Sequence, residues 1–67
     1  MENYVIYVNN VGFFESMGHN GITFTKEINL AFQMKLRVAR DIVKTIENSG
    51  KDCCVLKIID WHQSDYF

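Results

Sequence analysis

The chain has 67 residues, 48% of them hydrophobic, and a formal net charge of −1. That length suits one domain spanning residues 1–67, burying only about 60% of its unfolded surface, and the near-zero charge excludes a polyanion mimic or a binder of nucleic acid by bulk charge. No apolar run approaches the ~20 residues of a membrane span.

The opening MENYVIYV lacks the charged start and small-residue cleavage site of a secretory signal. Tyr4 to Val8 is rich in β-branched and aromatic residues and predicts a strand. Asn9-Asn10-Val11-Gly12 is a turn signal, because Asn and Gly tolerate positive φ. Phe13 to Met17 predicts a second strand and therefore a hairpin. Gly18-His19-Asn20-Gly21 is a loop. Ile22 to Thr25 is either a continuation of the second strand past a bulge or a short third strand.

Glu27 to Asn48 holds most of the helix-forming residues. Ile28, Phe32, Leu36, Ala39, Val43 and Ile46 recur at the spacing of one helix face, and Ala31, Val38 and Ile42 widen it for packing on a sheet. Gln33, Arg37, Arg40, Asp41, Lys44 and Glu47 form the polar side. Asn48-Ser49-Gly50 is the stop signal, with Gly50 able to take the left-handed cap. Helix is expected from Lys35 to Asn48, while Glu27 to Met34 is compatible with helix or with a turn and short strand. Thr25 is a candidate cap without the acidic or amide partner of a capping box.

Cys53 to Ile59 predicts an apolar strand, expected to be central, and residues 61–67 form an aromatic tail. The two cysteines, Cys53 and Cys54, point to opposite faces of such a strand. A disulfide between them is disfavoured, so a reduced, cytoplasmic chain is expected. The predicted architecture is α+β, in the order β-β-(β)-α-β: a small antiparallel sheet of three or four strands with one helix on one face. Ile6, Phe24, Leu36, Ala39, Val43, Ile46, Leu56 and Ile58 are the expected core.

One helix covers one sheet face. The other face is expected to carry Val5, Tyr7, Val55, Ile59 and Trp61, an apolar patch of interface scale. A two-fold homodimer through these residues is the favoured expectation. Its rivals are cover by Tyr66 and Phe67 of the same chain, or by a host target.

Catalytic and metal signals are weak. His19, His62, Cys53 and Cys54 lack ligand spacing, so no metal and no cofactor are expected. Ser16, Ser49, Ser64 and Cys54 have no base and orienter readable nearby, and Cys54 fits a small core residue. Glu15, Asp52 and Asp60 share no apolar pocket readable from sequence, so no enzyme is expected. Gly18 and Gly21 are too few for a phosphate loop without a following Lys. Lys35, Arg37, Arg40 and Lys44 line the outer side of the helix, where a solvated face is favoured over a DNA-groove helix. Candidate partner contacts are Tyr7, Arg37, Arg40, Lys44, Trp61, Tyr66 and Phe67, since aromatics and Arg dominate binding hot spots.

The stretches Tyr4-Val5-Ile6, Gly12-Phe13-Phe14 and Phe24-Thr25-Lys26-Glu27-Ile28-Asn29-Leu30-Ala31, followed by Met34, form a pattern over most of the chain. It resembles a class of small bacteriophage accessory proteins of Gram-positive hosts. The resemblance implies a short strand at Ala31 to Met34 and a helix beginning near Lys35. The chain departs from that pattern in lacking a Ser or Thr cap and an acidic first turn there. No catalytic residue comes with the likeness. It implies a phage inhibitor of a host protein, including the anti-CRISPR type that blocks a defence nuclease. The alternatives are a small nucleic-acid-binding or regulatory protein, and an oligomeric sponge for a nucleotide signal.

Overall fold

The computed structural model describes residues 3–58. Its elements are β1 (Asn3–Val8), β2 (Gly12–Gly18), β3 (Gly21–Thr25), a 3₁₀ turn at Ile28–Leu30, α1 (Leu36–Asn48) and β4 (Cys53–Ile58). The four strands form one antiparallel sheet in the order β3-β2-β1-β4, with α1 packed against β1 and β4. This is the α+β architecture expected. Ile22 to Thr25 belongs to a third strand, and β4 is an edge strand rather than a central one.

Local chemistry sets the turns. Asn10 takes φ 65° between β1 and β2, and the Val11 N–H donates to the Val8 carbonyl at 3.0 Å. Gly12 has φ 140°, and a Cβ placed on it would stand 2.6 Å from the Thr25 carbonyl oxygen, so glycine is required twice over. The β2–β3 hairpin closes through His19-Asn20, between the paired Gly18 and Gly21, and its register shifts between Phe14 and Ser16. The inserted residue, Glu15, is a bulge that bends the strand.

The bulge matters because β1 and β2 pair only through Tyr7↔Phe13 and Val8↔Gly12. Beyond that point the stretch after the 3₁₀ turn enters between them. Tyr4 and Met34 exchange backbone hydrogen bonds of 2.7 and 2.9 Å, and the Phe32 N–H donates to the Phe14 carbonyl at 3.0 Å. The Asn3 side-chain amide donates to Gln33 Oε1 at 3.1 Å. Residues 27–34 therefore resolve as a turn and a single bridge, not as the first turns of the helix. Ile28 and Phe32 leave the helical stripe.

α1 begins at Leu36 with Lys35 as a cap that offers no side-chain hydrogen bond. It ends as the stop signal predicts. The Gly50 N–H donates to the Glu47 carbonyl at 2.9 Å with φ 92°, and the Ser49 hydroxyl donates to the Ile46 carbonyl at 2.6 Å.

The core between helix and sheet is Ile6, Val8, Phe14, Met34, Ala39 and Ile46, flanked by half-buried residues including Phe24, Ile42, Val43, Cys53 and Val55. Fully burying a side chain the size of Ile6 or Ile46 contributes roughly 1.5–3 kcal/mol. Three expected core residues, Leu56, Ile58 and Leu36, are neither in it nor packed against it. Leu56 is 39% exposed, and Ile58, half-buried, lies on the same side as Leu56. The register Val8↔Cys53 and Ile6↔Val55 turns Cys53 and Val55 toward the helix, and Cys54, Leu56 and Ile58 away from it. Lys57, in the same phase as Cys53 and Val55, pairs with Tyr4 at the sheet margin and is exposed. Leu36 is half-buried and lies outside the central cluster.

Candidate functional site

The helix sorts its residues by side. Ala39, Ile42, Val43 and Ile46 face the sheet, which leaves Arg37, Arg40 and Lys44 on the outer side, all exposed. Their spacing of three and four residues places them in one row about 10 Å long. Asp41 flanks the row on one side and Glu47 on the other. Lys35 is exposed at the helix start.

Tyr7, read in the sequence with these cations as one contact surface, is not beside them. It alternates with Ile6 and Val8 on β1 and so lies on the sheet face away from α1. Its ring meets Phe13 edge-on, with centroids 5.1 Å apart. Trp61, Tyr66 and Phe67, also nominated as partner contacts, lie outside the described residues.

The expected self-association patch needs two corrections. Val55 packs on the helix side, for the reason of register given above. Val5 points away from the helix but is fully buried within the single chain. Among the described residues, Val5 and Ala31 are the two buried hydrophobic residues outside the helix-side cluster. The second face is therefore partly closed, and what it exposes is Cys54 and Leu56 beside the half-buried Tyr7 and Phe13. Ile59 and Trp61 lie outside the described residues.

A surface that the sequence reading missed lies between the hairpin and the helix. Phe14, Glu15, Ser16, Met17, Phe32 and Ile42 line a groove of about 350 Å³. Phe14 and Phe32 meet edge-to-face at 6.2 Å. Met17 and Phe32 are each 50% exposed. Val38, one helical turn before Ile42, and Leu30, two residues before Phe32, are also exposed hydrophobics. The helical period places Phe32 on the apolar stripe and Val38 on its widened edge. The 3₁₀ turn and the late helix start rotate Phe32 out of that stripe, and Val38 falls at its margin.

The cysteine end is a shallower pocket of about 270 Å³ lined by Tyr7, Asn9, Asp52, Cys53 and Cys54. Burial pushes the Cys53 thiol above its usual range, with the Glu47 carboxylate, Cys54 and Asp52 adding to the shift. Such a thiol is held protonated, the opposite of an activated nucleophile. Cys54, expected as a small core residue, is exposed on the other face. Among the described residues no group of three or more His, Cys, Asp or Glu is arranged to hold a metal ion, and no helix is long and apolar enough to cross a membrane. His19 and Gly18 to Gly21 are exposed at the hairpin tip.

No protein-family model, curated protein or solved structure matches the chain.

Proposed function

We propose that this chain is a non-enzymatic inhibitor, phage-encoded and acting in the host cytoplasm, that binds a host protein and occludes it. A defence nuclease is the target class implied by the sequence resemblance. The observation that carries the binding reading is the apolar groove with half-exposed Met17 and Phe32, to which α1 contributes Ile42; the same helix also carries the exposed row Arg37, Arg40 and Lys44. Exposed aromatic and Met side chains, and Arg, are enriched at protein interfaces. Phe14 and the backbone bond from Phe32 hold the groove in place without a partner, so little ordering entropy is lost on binding.

The test begins with capture from host lysate on the immobilised full chain and mass spectrometry of what is retained. The retained protein is then assayed with purified inhibitor. Inhibition should be complete at about one equivalent, without turnover, and lost when Met17→Glu and Phe32→Glu are combined. Loss of target activity at a small fraction of an equivalent, with a covalent change in the target, would show an enzyme and overturn the reading.

A further inference from the structure

We infer that the host protein meets the outer side of α1 with an acidic protein surface, its carboxylates pairing with Arg37, Arg40 and Lys44. The inference rests on the inhibitor reading and adds the chemistry of the partner. Four of the seven Lys and Arg residues lie between Lys35 and Lys44 against one acid, Asp41, in a chain of net charge −1. Three of those four, Arg37, Arg40 and Lys44, lie on one side of α1, and Lys35 stands at its start. None of the three row residues enters an ion pair among the described residues.

Stability does not account for the placement. The first turn of α1 carries no acidic residue and no side-chain cap, while Lys35 and Arg37 sit at the end where the helix dipole favours negative charge. Residues that oppose a local rule without an evident structural gain mark functional positions. An acidic partner surface offsets both the clustering of cations and their conflict with the dipole.

The row fits a protein surface better than a nucleic acid. Asp41 and Glu47 flank it on both sides, so a phosphate polymer crossing the helix would meet carboxylates. A protein surface can alternate sign to match, which sets register as well as attraction.

Fluorescence anisotropy on the full-length protein tests this without the host target. The probes are a labelled Ala-rich helical peptide with Glu at i, i+3 and i+7, an isomer with the same Glu residues spread around the helix, and a short DNA duplex. The matched peptide should bind roughly tenfold tighter than its isomer, three exposed ion pairs contributing about twofold each. The Arg37→Gln, Arg40→Gln, Lys44→Gln variant should lose that preference while melting like wild type, and a Lys26→Gln, Lys51→Gln control should keep it. Equal binding of the two peptides, or a preference untouched by the triple variant, makes the row a solvated surface and overturns the inference. Tighter binding of the duplex than of the matched peptide also overturns it, in favour of a phosphate-binding helix. None of these outcomes bears on whether a host protein is captured through the groove, so the two readings fail separately.

Discussion

Ile46 is the largest helix side chain that is fully buried, set in the cluster with Ile6, Val8 and Phe14. Truncating it to Ala removes buried methyl and methylene groups and leaves a cavity, at a cost of ~2–5 kcal/mol. Both walls, sheet and helix, are held by backbone ladders and relax little. Taking roughly 3 kcal/mol, and about 4–8 °C of melting temperature per kcal/mol for a domain of this size, the loss is roughly 12–24 °C. Leu56 is an equally large aliphatic residue on the neighbouring strand, yet it is 39% exposed and faces away from the helix. Leu56→Ala should cost about 1 kcal/mol, the partial transfer term without an enclosed cavity. Leu36→Ala, half-buried at the helix start, should fall between the two. Urea and thermal melts followed by circular dichroism measure all three. If Leu56→Ala costs as much as Ile46→Ala, the phase of β4 is wrong and the core has been placed on the wrong residues.

Gly12→Ala should destabilise severely, because its Cβ would collide with the Thr25 carbonyl oxygen at φ 140°; a melt within a few degrees of wild type would refute that close approach. Iodoacetamide at pH 8 should label Cys54 well before Cys53, whose half-buried thiol titrates above the ordinary thiol value of 9.0, as peptide mapping of the alkylated chain would show. The folded chain holds the Cys53 proton more tightly than the unfolded chain does. This contribution to stability is complete below the unfolded pKa and is lost as pH rises past about 9.0. Cys53→Ala should therefore flatten the alkaline fall in stability, and an unchanged profile would exclude the thiol as its source. Val43→Asp should unfold the domain, since it places a charge against the helix-side core; a cooperative melt at 37 °C or above would count against that packing. A homodimer through the second sheet face now rests on Tyr7, Cys54 and Leu56, so Leu56→Lys should convert a sedimenting dimer into a folded monomer. Wild type sedimenting as a 7.8 kDa species at micromolar concentration would remove the dimer.

The elements that were legible in the sequence are those with local causes. Gly50 ends α1 because a residue at φ 92° needs no Cβ, and Asn10 turns β1 into β2 because Asn tolerates φ 65°. Ala39, Val43 and Ile46 face the sheet because a 3.6-residue period leaves them on one side of any helix that spans them. The row of Arg37, Arg40 and Lys44 follows from the same period. Each of these signals acts within a few residues, so composition and spacing carry it.

The phase of β4 is different. CCVLKII is apolar at both even and odd positions, so alternation offers no preference between its two faces. Only pairing with β1, which aligns Val8 with Cys53 and Ile6 with Val55, selects Val55 for the core and Leu56 for the surface. The groove has the same origin. Met17 and Phe32 are 15 positions apart in the chain, and no local rule relates them. They line one groove because the bulge at Glu15 parts β2 from β1 and because Phe32 and Met34 occupy the space between, bonded to Phe14 and Tyr4. Secondary structure, helix polarity and turns were determined by the sequence through short-range sterics and hydrogen bonding. The identity of the buried face and the place of the candidate site were decided by long-range backbone pairing, which local pattern does not encode.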